Sequence, residues 1–229
     1  MNELIAKITS NSSVAIRSHD AEGNLSQPLY AVNWFDASPA WLYHLYNKLA
    51  GRSVIKIGGK PLFKATVKES LLSDKGQRQI LLLVKYPDGK AFKKLLESTY
   101  FQIVSLLRMK SVQRFTFSFA KPEGEVKFKS NPKHYAIHYF NADDLNGVLK
   151  ESEKSLNGLE VLYAGQSFAQ LYRQEEGKAD QVIKSVIDCI FIYGAATEEV
   201  ICETLTSNEY LQHFNSDDPG YIASLNKIF

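Results

Sequence analysis

The sequence says nearly the same thing twice, and that repetition restricts the fold more than any single motif does. Tyr30-Ala31-Val32-Asn33-Trp34-Phe35-Asp36-Ala37 returns as Tyr135-Ala136-Ile137-His138-Tyr139-Phe140-Asn141-Ala142, at a constant offset. Other landmarks keep the same order. Gly51, Val54 and Gly58 match Gly158, Val161 and Gly165; Tyr86 matches Tyr193; and Glu97-Ser98-Thr99-Tyr100 matches Ser207-Asn208-Glu209-Tyr210. A period of about a hundred residues in two copies is too long and too few for a solenoid, whose units run to about 20–50 residues. The pattern is that of a fused pseudo-dimer.

Within each copy the local signals alternate between strand and helix. Tyr30 to Asp36 is rich in β-branched and aromatic residues and reads as a central strand; Ser38-Pro39 then offers an N-cap and a proline at the first helical position. The helix is expected to stop at Gly51, with strands Ser53 to Ile57 and Leu62 to Val67 flanking the turn at Gly58-Gly59-Lys60-Pro61. Gln79 to Tyr86 is a buried strand, followed by a helix from Lys90, a break near Ser98-Thr99, more helix to about Met109, and a strand Arg114 to Phe119. The second copy repeats the order: strand His134 to Phe140, helix Asp143 to Leu156, strands Leu159 to Ala164, Ser167 to Arg173 and Ile187 to Tyr193, helix Thr197 to Leu205, and strand Tyr221 to Phe229.

The expected organisation is therefore an N-terminal arm over 1–29, a first βαββαβ repeat over 30–120, a linker over 121–133 and a second repeat over 134–229. A four-stranded antiparallel sheet with both helices on one face leaves its other face apolar, and two such sheets can cover one another. The fold class is α+β: two tandem ferredoxin-like domains forming an intramolecular pseudo-dimeric α/β barrel.

Charge separates the copies. From Tyr30 to Ala120 there are 15 Lys and Arg against 5 Asp and Glu, whereas from His134 to Phe229 there are 6 against 15. Either the basic copy holds an anionic ligand, or opposite fields help the halves dock and stay soluble. Lys56, Lys60, Lys64 and Lys68 recur every fourth residue in a region read as strands, which scatters them and argues against a nucleic-acid groove. The start of the chain lacks the pattern of a signal peptide and no run has the roughly 18 apolar residues of a membrane span, so a cytoplasmic location without membrane attachment is expected. Cys189 and Cys202 stand without His or Cys at metal-ligand spacing, so no metal, disulfide or thiol nucleophile is expected.

The run from Gln79 to Phe92, followed by Glu97-Ser98-Thr99-Tyr100, Gln102 and Arg108, resembles the dimeric α/β-barrel superfamily with ferredoxin-like subunits, and within it a small uncharacterised branch. The likeness covers Tyr30 to Phe119. In the second copy Tyr210 remains, but Asp217-Asp218-Pro219 stands where the Arg would be. The resemblance implies a fold shared by cofactor-free oxygenases, lactone isomerases, polyketide cyclases, haem enzymes and small-molecule sensors, and fold alone does not choose among them.

No Gly-x-Ser-x-Gly, P-loop, dinucleotide fingerprint or His-Glu-x-x-His occurs, so candidate residues come from strand faces. Asn33 and His138 hold equivalent positions within apolar strands, and burying either costs about 1–3 kcal/mol unless it is hydrogen-bonded. Each is either a core residue satisfied by backbone or a Tyr hydroxyl, or a site residue, with His138 as general base or acid. Lys56 and Tyr163 precede Gly58 and Gly165 by two positions, where a ligand or another backbone can come close. Lys56 is a second candidate for proton transfer and Tyr163 for hydrogen bonding to a developing oxyanion; the alternative is a surface Lys and a core Tyr. Arg108 lies two helical turns after Tyr100 and can clamp a carboxylate with Tyr100 and Tyr86 beside it, or close a helix end. Trp34 and Tyr139, on the same strands as Asn33 and His138, complete the substrate-binding set.

The leading expectation is a cofactor-independent enzyme promoting proton transfer, cyclisation or oxygenation of a hydrophobic, aromatic or polyketide-like substrate. Haem would need His138 or His134 as axial ligand and is disfavoured. The alternatives are a non-catalytic binding protein or sensor for an acidic metabolite, and a structural interaction module; further homodimerisation stays open.

Overall fold

Strand β1 (Leu29–Ala37) is buried at every position but Asn33 and Ala37, on both faces, as its largely apolar run requires. The structure is a computed structural model and describes residues 26–73, 78–172, 181–183, 188–216 and 218–229, with backbone alone for 169–172 and 181–183. The arm expected over 1–29 lies outside the described residues apart from 26–29. After β1 come helix α1 (Ala40–Lys56), strands β2 (Lys60–Leu72) and β3 (Ile80–Tyr86), helices α2 (Gly89–Glu97) and α3 (Thr99–Ser111), and β4 (Val112–Pro122). The second series runs β5 (His134–Asn141), α4 (Leu145–Ser152) with a 3-10 turn Glu153–Ser155, β6 (Glu160–Tyr172), β7 (Gln181–Ile183), β8 (Asp188–Ala195), α5 (Glu198–Leu205), α6 (Asn208–Leu211) and β9 (Tyr221–Lys227). Among the described residues no helix is long and apolar enough to cross a membrane.

Contacts divide the chain into two compact units: Met1–Leu62, Arg78–Ala120 and Phe168–Val186 in one, and Phe63–Gln77, Lys121–Ser167 and Ile187–Phe229 in the other. In the first unit β1 lies between β3 and β4, antiparallel to both, with Ala31 opposite Val84 on one side and Phe119 on the other. Leu29, Ala31, Val84, Tyr86 and Phe119 pack with Phe92, Leu95 and Leu96 of α2, and a second cluster joins Phe35, Tyr43, Ile80, Val112 and Phe115. Asp88 caps α2 by accepting from the Ala91 amide at 2.6 Å.

In the second unit β5 lies between β8 and β9, again antiparallel, β6 flanks β8, and β9 pairs with Ala65 to Leu72 of β2. The relative order β9-β5-β8 thus repeats β4-β1-β3. Its core joins Ala136, Phe140, Phe191, Tyr193 and Ile222 from the sheet to Ile201, Leu205 and Tyr210 from the helices.

Local expectations over Ser38 to Gly59 and over Leu159 to Arg173 are corrected. The strand expected over Ser53 to Ile57 is the end of α1, which runs through Gly51 to Lys56 because Val54 packs on the core cluster of the first unit. The stop comes at Gly58, whose φ of +83° favours glycine, and at Gly59, where a Cβ would meet the Val54 carbonyl at 2.9 Å. Pro39, and not Ser38, occupies the N-cap of α1. The two strands expected over Leu159 to Arg173 are a single strand, β6, continuous through Gly165. The segment expected as a linker pairs its backbone with β6, Glu123 N–H to Ala164 and Lys127 N–H to Leu162, and Phe128 stacks on Phe63 and Tyr163.

Candidate functional site

Two residues of like type at matching positions meet different fates. Asn33 is half-buried on β1, and its amide donates to the carbonyls of Ala31 and Leu82, both at 3.3 Å. His138 is fully buried on β5. Its Nε2 lies 2.7 Å from the Pro219 carbonyl and its Nδ1 2.7 Å from the Tyr210 hydroxyl, which lies 2.8 Å from that of Tyr193. A carbonyl only accepts, so Nε2 carries the proton and Nδ1 accepts from Tyr210, whose oxygen then accepts from Tyr193. The chain therefore has one direction: Tyr193 to Tyr210 to His138 to the Pro219 carbonyl.

Phe140, Tyr210 and Phe214 enclose the imidazole, with ring centroids 4.7, 5.6 and 4.3 Å away. Burial pulls the His138 pKa down from 6.5 to about 3, outweighing the opposing hydrogen bond to the Pro219 carbonyl, so the ring is neutral at physiological pH. Burial also raises the phenols of Tyr193 and Tyr210 well above their ordinary range, which keeps both as donors. Gly220 makes this arrangement possible: its φ is +93°, and a Cβ there would meet the Tyr139 carbonyl at 2.3 Å, so only glycine turns the chain tightly enough to bring Pro219 to the ring.

The structure places the other expected residues separately. Lys56, expected on a strand, is the exposed last residue of α1. Tyr163 is fully buried and its own ring covers Gly165, whose Cβ would meet the Tyr163 hydroxyl at 2.3 Å; the space expected there for a ligand is filled by the neighbouring side chain. Trp34 is buried on the opposite face of β1 from Asn33, and Tyr139 donates from its hydroxyl to Asp188. Tyr86 is buried edge-on against Phe92, with burial raising its phenol pKa and the nearby Arg108 charge opposing. Arg108 is half-buried, its guanidinium 5.0 Å from the Phe115 ring centroid. Tyr100 is 47% exposed, whereas Tyr86 is buried.

That last difference is a slip of one residue in the internal match. Ser98 is the N-cap of α3 and Ser207 the N-cap of α6, so Tyr210 at the third helical position corresponds to Phe101, and Tyr100 corresponds to the acidic Glu209. Phe101 packs on the core of the first unit as Tyr210 does in the second. Cross-strand pairing shifts the other match as well: Tyr193 faces Ala136 and Val84 faces Ala31, so Val84, not Tyr86, is the counterpart of Tyr193. The first unit thus lacks both hydroxyls of the chain.

A cavity of about 280 Å³ opens elsewhere in the second unit, lined by Lys68, Lys133, Tyr135, Glu198, Ser224 and Lys227 among others. Sequence reasoning did not single these out, although Ser224 inside the apolar run Tyr221-Ile222-Ala223-Ser224-Leu225 gave the same signal that marked His138.

No family model matches the chain, and no curated protein matches it. Among solved structures, two proteins named "putative monooxygenase" match, each at 11% identity. The one from Fusobacterium nucleatum has a TM-score of 0.53 with 89% of this chain and 94% of that chain covered; the one from Lactobacillus acidophilus has 0.45, with 88% and 94% covered. A protein of unknown function from Rhodopseudomonas palustris matches 48% of this chain and 93% of its own at 16% identity and a TM-score of 0.44. The Fusobacterium likeness, at 11% identity, shows a shared fold and nothing finer.

Proposed function

We propose that this chain is a tandem fusion of two ferredoxin-like repeats that binds a small molecule without transforming it, with the second repeat as the binding half and His138 as an internal pin. The observation that carries this reading is that both ring nitrogens of His138 are engaged within the protein and that His138 does not line the cavity described above. The cavity is walled by Lys68, Tyr135, Ser224 and Lys227, and His138 is not among its walls. A general base needs a free lone pair within hydrogen-bond reach of a substrate proton. The Nδ1 lone pair of His138 is occupied by the Tyr210 hydroxyl and Nε2–H by the Pro219 carbonyl. The same two bonds leave no ring nitrogen for axial ligation of haem iron, so that group does not fit at His138.

The second reading is the cofactor-independent enzyme of proton transfer, cyclisation or oxygenation. The directional Tyr193–Tyr210–His138 chain favours it, since such a chain can pass a proton along its length. In that reading His138 is the proton-transfer group, as read from the sequence.

Native mass spectrometry of the purified chain separates the two. A bound small molecule, released on unfolding and recovered at unchanged mass after long incubation, with His138→Gln retaining its affinity, is the expected result. Conversion of that molecule by the wild type and loss of conversion in a folded His138→Gln variant would overturn it.

A further inference from the structure

The cavity of the second unit has a built chemistry that the charge count of its repeat hides. Its floor is β9. Ser224 there is 3% exposed, and its hydroxyl finds no hydrogen-bonding partner among the described residues. A buried hydroxyl left without a partner costs roughly 1–3 kcal/mol, so it marks a place where a ligand atom or solvent completes the site. Beside it the β2–β9 ladder slips: Val67 faces Leu225 and Glu69 faces Ser224, leaving Lys68 as the extra residue of a bulge. Bulges re-aim a side chain, and Lys68 reaches Glu198 at the start of α5, 2.5 Å from each carboxylate oxygen.

With Lys68 and Glu198 matched, two lysines of the wall remain. Lys227 is held by neutral groups, its Nζ 3.2 Å from Asn131 Oδ1 and 3.1 Å from the Tyr135 hydroxyl, and over the Tyr135 ring. Lys133 is exposed at the rim next to half-buried His134. The other acids close by are Glu69, near Lys68, and Glu199, near His134, both exposed to water. Ile201 supplies an apolar wall. The cavity wall itself carries Lys68, Lys133 and Lys227 against Glu198 alone, with Glu69 and Glu199 turned to water, so the excess of positive charge lies on the wall.

We propose that this cavity binds a small carboxylic acid, with the Ser224 hydroxyl donating to the carboxylate, Lys133 and Lys227 balancing its charge, and Ile201 receiving its apolar body. The proposal rests on the binding reading above and adds the ligand class. A volume of about 280 Å³ lies at the low end for a ligand pocket and suits a single-ring or short-chain acid.

The test is amide-resolved NMR of the full chain titrated with sodium benzoate, benzamide and inorganic phosphate, each to ~10 mM, which reaches the millimolar affinities expected of a minimal probe. Benzoate should give saturable shifts centred on Ser224, Leu225 and Lys227. Benzamide and phosphate should bind about tenfold more weakly or not at all. Ser224→Ala should weaken benzoate about tenfold while keeping or raising Tm, because it removes an unpartnered buried hydroxyl. Lys133→Gln, at an exposed position, should weaken benzoate and flatten its salt dependence. Equal binding of benzamide at these amides would overturn the carboxylate assignment while leaving small-molecule binding standing. Preference for phosphate, or absence of shifts with all three probes, would overturn it also.

Discussion

His138 is the residue whose surroundings say most about what the chain does. Its folded pKa is depressed from 6.5 to about 3, so the unfolded chain takes up a proton there before the folded one does. Its contribution to stability is complete above about pH 6.5 and is lost as pH falls toward 3, at about 1.4 kcal/mol per pH unit. Urea unfolding at a series of pH values should show that slope in the wild type and a shallower one in His138→Gln. Tyr210→Phe removes the hydroxyl that both Nδ1 of His138 and the Tyr193 hydroxyl use, and should cost roughly 1–3 kcal/mol for each buried group left without its partner. Tyr100→Ala, at a surface position, should stay within about 0.5 kcal/mol of wild type. Had Tyr100 and Tyr210 been equivalent, as the sequence match suggested, the two substitutions would behave alike in unfolding measurements. The sequence made the polar position within β5 legible, because a polar side chain in an apolar strand must find a partner. It did not reveal the partner, since Pro219 lies 81 residues away and is brought in by the chain turn at Gly220.

At the scale of elements, strands read from apolar runs came through well, and those read from glycine came through badly. β1, β3, β5 and β8 lie where their β-branched and aromatic runs place them. Gly51 and Gly165 were read as interruptions, yet both sit inside continuous elements. Gly51 faces open space inside helix α1, where a glycine costs about 1 kcal/mol relative to alanine but does not end the helix. Gly165 serves the Tyr163 ring that lies over it. Gly220 is the opposite case, a glycine that the backbone demands. Gly220→Ala should destabilise by more than about 1 kcal/mol, from the left-handed conformation and the contact with the Tyr139 carbonyl together, and should shift the His138 ring resonances. Thermal unfolding and a one-dimensional imidazole spectrum check both parts.

At the scale of the whole molecule, the two units share the relative order of their central strands, and contacts group the chain in a way that its linear order does not show. The strand of β2 from Ala65 to Leu72 belongs with β9 in the second unit, although it precedes that unit's other elements by dozens of residues. A fragment beginning at Lys121 therefore lacks the strand that covers the β9 edge. Such an edge is open to pairing with another chain, so the fragment should self-associate on size-exclusion chromatography where the full chain does not form the same species. Adding back a peptide spanning 63–77 should reduce that association. No sequence pattern announces this grouping, because strand pairing across such separations depends on register and curvature that propensity does not carry.

The measurement that bears most directly on the account is the long-range nitrogen–proton NMR spectrum of the His138 ring, followed from pH 8 to pH 4. A chain that binds with His138 as its internal pin predicts a neutral ring with the proton on Nε2, unchanged across the range. A ring that titrates near pH 6 to 7, or exchanges between tautomers, would place a free base in reach of solvent and ligand and contradict the account.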